Sequence, residues 1–128
     1  DNVEGWRMLG WSEMAMNRPE AAVSAYRRAV RLSPGTADLH GALAEALISA
    51  AGETVTVEAA REIESALGAD ADNPRGLYYM GLARLQAGDP NAAEEIWRRL
   101  KTNTALDNRL RETLALRLES LRGSDMAR

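Results

Sequence analysis

Two stretches carry the reading of this chain: WRMLG at residues 6–10 and LYYMG at residues 77–81. The first is followed by Ala22, Tyr26, Ala29 and Pro34, the second by Ala93, Trp97, Leu100 and Ala105. In both, the glycine (Gly10, Gly81) stands 12 positions before the small residue of the following helix (Ala22, Ala93). Between them His40, Leu43 and Ala44 precede Ala59, Ile63, Ala66 and Ala71, and Gly10, Ala44 and Gly81 are spaced by 34 and then 37 residues. A small residue recurring beside large apolar ones has a packing cause. Two antiparallel helices that cross closely need Gly or Ala at the crossing and bulky side chains in the gaps beside it. In the first unit Gly10, Ala22 and Ala29 form the small set, Trp6, Leu9 and Tyr26 the large set, and Pro34 ends the second helix.

The period and the order of small, aromatic and proline positions resemble the tetratricopeptide repeat. The resemblance predicts an all-α solenoid forming one domain over residues 1–128, with repeats at about 3–36, 37–73 and 74–105. Helices are expected at 3–16, 20–32, 37–51, 57–69, 74–87 and 90–101. Repeat two departs from the pattern. His40 stands where Trp is expected, and the Ala44-to-Ala59 spacing of 15 places the extra residues in GETVTV, 52–57. Gly52 is the expected helix stop there, and Thr54 or Thr56 the cap of the next helix. Asn17 and Gly88 are the turn residues expected to take a left-handed backbone. Leu106, Leu110, Leu114, Leu118 and Leu121 then make one apolar stripe, read as a capping helix over 106–122 that covers the last repeat. Arg109, Glu112, Glu119 and Arg122 fall on its opposite face.

Composition narrows the function. The 128 residues carry a formal net charge of −3 and no Cys. Disulfides and thiolate metal sites are therefore excluded, and an acidic chain lacks the basic footprint of a dedicated nucleic-acid binder. Charge is uneven: residues 98–128 hold eight basic and four acidic groups, against eight and fifteen before them. A solvated helix face accounts for that excess; a basic docking surface is the other reading. The first residue is Asp1, with no signal-peptide pattern, so the sequence reads as an excised domain or a processed product.

No catalytic constellation, metal site or cofactor motif is expected. His40 is the sole imidazole, with Asp38 and Glu45 near it in sequence but no nucleophile, and reads as a packed histidine. Glu62/Glu64 and Glu94/Glu95 read as solvated faces. The informative surface is the concave one lined by the first helix of each pair. Repeat geometry assigns it Glu4, Arg7, Trp11 and Met14 from repeat one, Asp38, Gly41, Glu45 and Ile48 from repeat two, and Arg75, Tyr78, Leu82 and Leu85 from repeat three. That list is apolar at its centre with a charged rim, which suits an amphipathic partner helix. The alternative is that these side chains pack against the protein's own helices or a preceding segment. Glu13 and Arg84 occupy positions usually filled by large apolar residues: either the first helices are slightly rotated or the charges snorkel to an edge.

The resemblance narrows further. DNVEGWRMLGWS (1–12), the long middle loop before VEAA (57–60), NPRGLYYMGLA (73–83) and GDPNAAEEIW (88–97) look like the repeat domain of the CcmI family, also called CycH. Members are cytochrome c maturation factors in which membrane helices precede a periplasmic repeat domain. The resemblance implies a non-catalytic periplasmic chaperone that holds apocytochrome c by its C-terminal helix and presents it to the haem ligation complex. It also implies a membrane anchor in a preceding part. The alternative is a generic repeat adaptor of another pathway.

Overall fold

The computed structural model describes residues 2–103 and 106–126, with side chains described as far as Gly123. Among the described residues there are seven helices and no strand: α1 (Val3–Ala15), α2 (Pro19–Leu32), α3 (Ala37–Ala50), α4 (Val57–Ala69), α5 (Pro74–Gln86), α6 (Pro90–Lys101) and α7 (Asn108–Met126). Ala105, the expected end of repeat three, lies outside the described residues.

Local chemistry sets the helix ends. Short polar side chains satisfy first-turn N–H groups that have no intrahelical partner. Asn2 Oδ1 accepts from Gly5 N at 3.2 Å, Thr56 Oγ1 from Ala59 N at 3.2 Å, and Asp89 Oδ1 from Ala92 N at 3.1 Å. Asp107 Oδ1 accepts from Leu110 N at 2.8 Å, which starts the last helix two residues later than the leucine stripe suggests. Asn73 is a buried cap: its Oδ1 accepts from Gly76 N at 2.8 Å while its Nδ2 donates to Asp38 Oδ1 at 2.7 Å, tying α5 to the start of α3. The turns after α1 and α5 run through Asn17 at φ 58° and Gly88 at φ 85°, as expected. In the inserted loop both Gly52 and Glu53 are left-handed, at φ 66° and 68°. The loop is held down by Gln86, whose Nε2 donates to the Glu53 carbonyl at 2.7 Å and whose Oε1 accepts from Val55 N at 2.8 Å.

Helices pair as α1/α2, α3/α4 and α5/α6, each pair stacks on the next, and α7 packs on α6. One apolar cluster runs through the stack from Ala22 and Tyr26 to Trp97, Leu100, Leu114 and Leu121. The crossings behave as the small-residue pattern demands. A Cβ on Gly10 would lie 2.5 Å from Tyr26 Cε1, and one on Gly81 would collide with the Trp97 indole. Trp97 is fully buried, donates Nε1–H to the Tyr78 carbonyl at 2.9 Å and stacks on the Tyr78 ring at 5.8 Å. Arg117 ties α7 to the same place, donating Nε–H to the Tyr78 hydroxyl at 3.1 Å with its guanidinium 6.0 Å above the Trp97 ring. Leu106, Leu114 and Leu121 are buried and Leu110 and Leu118 half-buried, whereas Arg109, Glu112, Glu119 and Arg122 are exposed, as the stripe indicates.

Three expectations shift. Leu9 is 44% exposed, not packed in a gap. α2 takes the Gly10 side of α1, and no described helix covers the Leu9 side. Trp6 is half-buried, with the Arg28 guanidinium 4.8 Å from its ring centre. Glu62 is not on a solvated face: its Oε2 meets His40 Nδ1 at 2.7 Å, while His40 Nε2 meets the Pro34 carbonyl. His40 is therefore a packed tie between the start of α3, the preceding turn and α4. Glu13 is half-buried and faces Arg18 across the turn at 3.9 Å, and Arg84 is exposed; both charges reach an edge.

The tight crossing gives a test with an internal control. Gly81→Ala should force the Trp97 indole off the Tyr78 carbonyl and cost about 1–3 kcal/mol. Gly68 lies in α4 with nothing within 4 Å of an added Cβ. Gly68→Ala should therefore stabilise by about 0.5–1 kcal/mol. Urea denaturation of both variants reads the opposite signs; two equal shifts would show that the crossing is not the constraint.

Candidate functional site

Stacking places α1, α3 and α5 side by side on one surface, with the start of α7 at its end. Between them lies an open cavity of about 800 Å³. From α1 come Trp11, Met14 and Ala15; from α3 and its following turn, Glu45, Ser49 and Glu53; from α5, Arg75, Tyr78 and Tyr79. Tyr26 reaches in from α2, and Asp107, Arg109, Leu110 and Thr113 complete the far wall. All three tyrosines of the chain thus border one cavity, with Trp11 standing 60% exposed at its edge. Aromatic side chains with polar tips are the groups that most often anchor protein partners, since they bury much area while losing few rotamers.

Of the residues assigned to the concave face, five meet here: Trp11, Met14, Glu45, Arg75 and Tyr78. Ile48 and Leu82 do not line it; at 1% and 4% exposure they belong to the core. Their positions do turn toward the concave side, but α3 packs directly against α5 there and consumes them as a seam. Leu85 is half-buried against the same cluster. Glu4 and Arg7 pair with each other on the exposed start of α1, where the guanidinium holds the Glu4 carboxyl below its ordinary range. Asp38 serves Asn73, and Gly41 is buried beneath Arg75. The expected apolar centre is therefore replaced by an aromatic floor with charged groups inside the cavity: Glu45, Glu53 and Asp107 against Arg75 and Arg109.

Part of what the concave-face list omits was within reach of helical spacing. Ala15 and Ser49 lie four residues beyond Trp11 and Glu45, on the same helix face. Tyr79, Tyr26 and the α7 residues come from rotations and long-range placements that no spacing rule reports.

The polar tips are organised. Tyr79 donates its hydroxyl to Glu45 Oε2 at 2.8 Å. Burial, and then the Glu45 charge and hydrogen bond, raise the Tyr79 phenol far above the usual tyrosine range. Burial raises Tyr26 as well. Tyr79 is thus a fixed donor that holds the Glu45 carboxylate in place. Among the described residues no group of three or more His, Cys, Asp or Glu side chains could hold a metal ion.

The raised phenol has a pH consequence. The folded state holds the Tyr79 proton more tightly than the unfolded chain, whose tyrosines ionise near about 10. Its stabilising contribution is complete below that pH and is lost as pH rises beyond it. Urea midpoints should fall between pH ~9 and ~11, and fall less steeply in Tyr79→Phe. Equal slopes in the two proteins would show that Tyr79 ionises freely in the folded state.

Comparison with known proteins places this geometry. The family model described as "Cytochrome c-type biogenesis protein H TPR domain" matches residues 1–110. Cytochrome c-type biogenesis protein CycH of Rhizobium meliloti (strain 1021) is 38% identical over 103 residues, covering 80% of this chain and 27% of the relative. CycH of Bradyrhizobium diazoefficiens is 36% identical over 103 residues, covering 80% of this chain and 28% of the relative. The chain thus spans about a quarter of the length of these curated relatives. Among solved structures, the type III secretion translocator chaperone SycD of Yersinia enterocolitica superposes with a TM-score of 0.79 at 17% identity, over 96% of this chain and 93% of that one. PcrH, solved with the chaperone binding region of PopD, gives 0.77 at 18% identity, over 96% and 92%. At those identities the likeness shows the fold: a tetratricopeptide-repeat solenoid. Over residues 1–110 the chain belongs to the cytochrome c-type biogenesis protein H family, as its tetratricopeptide-repeat domain.

Proposed function

We propose that this domain is a non-catalytic holder of apocytochrome c, taking its C-terminal helix into the cavity between α1, α3, α5 and α7 and presenting it for haem ligation during cytochrome c maturation. The observation that carries the reading is the convergence of Trp11 and all three tyrosines on one open cavity in a chain of a cytochrome c biogenesis family. The volume suits a helix segment. A helix with side chains has a cross-section of roughly 80–110 Å², so about 800 Å³ accommodates roughly 7–10 Å of its axis, between one and two turns. Other parts of the partner helix then extend beyond the cavity. PcrH, of the same fold, was solved bound to a segment of another protein, which supports segment binding as a use of this architecture. His40, engaged by Glu62 and Pro34, is not among the cavity's lining, which supports a holding role over a chemical one.

The setting that goes with this reading is periplasmic, with contact to haem ligation components and a membrane anchor elsewhere in the protein. Among the described residues no helix is long and apolar enough to cross a membrane.

The test is a titration of apocytochrome c, and then of its C-terminal-helix peptide, followed by tryptophan fluorescence and calorimetry. Trp11→Ala should weaken peptide binding by about thirtyfold, the scale of an aromatic hot spot of ~2 kcal/mol. Its circular dichroism should be unchanged, because the Trp11 side chain is mostly outside the core. Equal affinity in a folded Trp11→Ala protein would place the partner outside this cavity. No binding to either ligand would favour an adaptor of another pathway.

A further inference from the structure

Two cavity-lining cations, Arg75 and Arg109, have no side-chain partner among the described residues, and of the two only Arg75 is partly withdrawn from solvent, Arg109 being exposed. Arg75 stands on the first turn of α5, half-buried and lining the cavity. Arg31, Arg61, Arg84 and Arg122 also lack a side-chain partner among the described residues but are exposed to solvent, whereas Arg7 has Glu4, Arg27 has Glu58, Arg98 has Glu94, Arg99 has Asp72, and the half-buried Arg117 has the Tyr78 hydroxyl. Among the described residues the Arg75 guanidinium makes no hydrogen bond or ion pair. Glu45 borders the same cavity, but it accepts the Tyr79 hydroxyl and forms no ion pair with Arg75.

The stem of Arg75 is guided. A Cβ on Gly41 would lie 3.2 Å from Arg75 Cβ and 3.3 Å from its Cδ. The missing side chain at position 41 lets the arginine lie close along α3. A guanidinium seated there is tolerable while water reaches it. Once a partner covers the cavity, that water is lost, and an unpaired buried charge is costly. An occupant that fits must bring an anion to it.

We infer that Arg75 is the selectivity residue of the cavity, taking one aspartate or glutamate side chain of the docked helix in a charge-assisted pair. This rests on the reading that the cavity holds a partner helix. The helix axis cannot approach the floor more closely than its own radius of about 5–6 Å, so a group projecting from the helix reaches the guanidinium. The guanidinium offers five N–H donors in a planar fork that matches a carboxylate. Glu45, Glu53 and Asp107 disfavour further acids, and a pair with the exposed Arg109 would be screened by solvent, so the fitting helix carries one acid aimed at Arg75, with Lys or Arg toward those three.

The probe is the C-terminal-helix peptide of apocytochrome c, together with versions in which each Asp or Glu is changed singly to Asn or Gln and one with an amidated C-terminus. Arg75→Gln should bind the parent peptide about tenfold or more weakly, with an unchanged melting midpoint. One peptide substitution should cause the same loss against the native chain and no further loss against Arg75→Gln. Arg75→Lys should recover part of the affinity, and amidation should change nothing. Native affinity in Arg75→Gln, with Trp11→Ala still weakened, would overturn the role of Arg75 and leave the cavity reading intact. Native affinity in both variants would overturn the cavity reading itself. Loss on amidation, or loss in Arg75→Gln coupled to no peptide acid, would equally overturn the pairing inferred for Arg75.

Discussion

The contact on which the rest of the molecule depends is the absence of a side chain at Gly81 beneath the Trp97 indole. Because no Cβ intervenes, α5 and α6 approach until the indole N–H reaches a backbone carbonyl inside α5, at 2.9 Å. That bond is buried, directional and made to Tyr78, so it fixes the rotation of α5 as well as its distance. The rotation in turn presents Tyr78, Tyr79 and Arg75 to one cavity. Arg117 adds α7 through the Tyr78 hydroxyl, so the wall made by the last helix is set by the same residue. Gly10 and Tyr26 repeat the arrangement at the other end, where the ring that fills the glycine's space also borders the cavity. Packing and site are therefore one design: side chains that lock the helix pairs also form the aromatic floor.

The sequence is legible wherever function follows from period. Glycine and alanine at matched offsets locate the six paired helices to within one residue at every end, because sterics at a close crossing leave few alternatives. Left-handed Asn17 and Gly88, and the Thr56 cap, are equally local matters. Burial is less legible. Ile48 and Leu82 share helix positions with residues that do face the cavity, yet direct packing of α3 on α5 takes them into the core. Leu9 matches a consensus packing position and is exposed because no described helix covers that side of α1. Register says which way a side chain turns, not whether a neighbour is already there.

Long-range polar ties are the least legible of all. Gln86 holds the inserted loop at the Glu53 carbonyl and the Val55 N–H and so fixes Glu53 at the cavity edge, though it lies more than thirty residues away in sequence. Glu62 pairs with His40 on a helix where an alternating acidic run suggests only a wet face. Asp38, expected at the groove, is instead spent on the buried cap Asn73. The resulting cavity is more polar than a count of apolar groove positions suggests, and the selectivity proposed for it rests on charge placement over an aromatic base. On the proposed reading, an acidic fringe around the half-buried, unpaired Arg75 guanidinium would discriminate among amphipathic helices that an apolar trough would hold alike.

Backbone-resolved NMR mapping of the labelled domain with the apocytochrome c C-terminal-helix peptide tests the central claim most directly. Binding between the first helices should move the Trp11 indole signal and the amides of Glu45, Ser49, Glu53, Tyr79 and Thr113, while the outward faces of α2, α4 and α6 stay still. Perturbations confined to those outward faces, or to the exposed face of α7 around Glu112, Glu119 and Arg122, would contradict it.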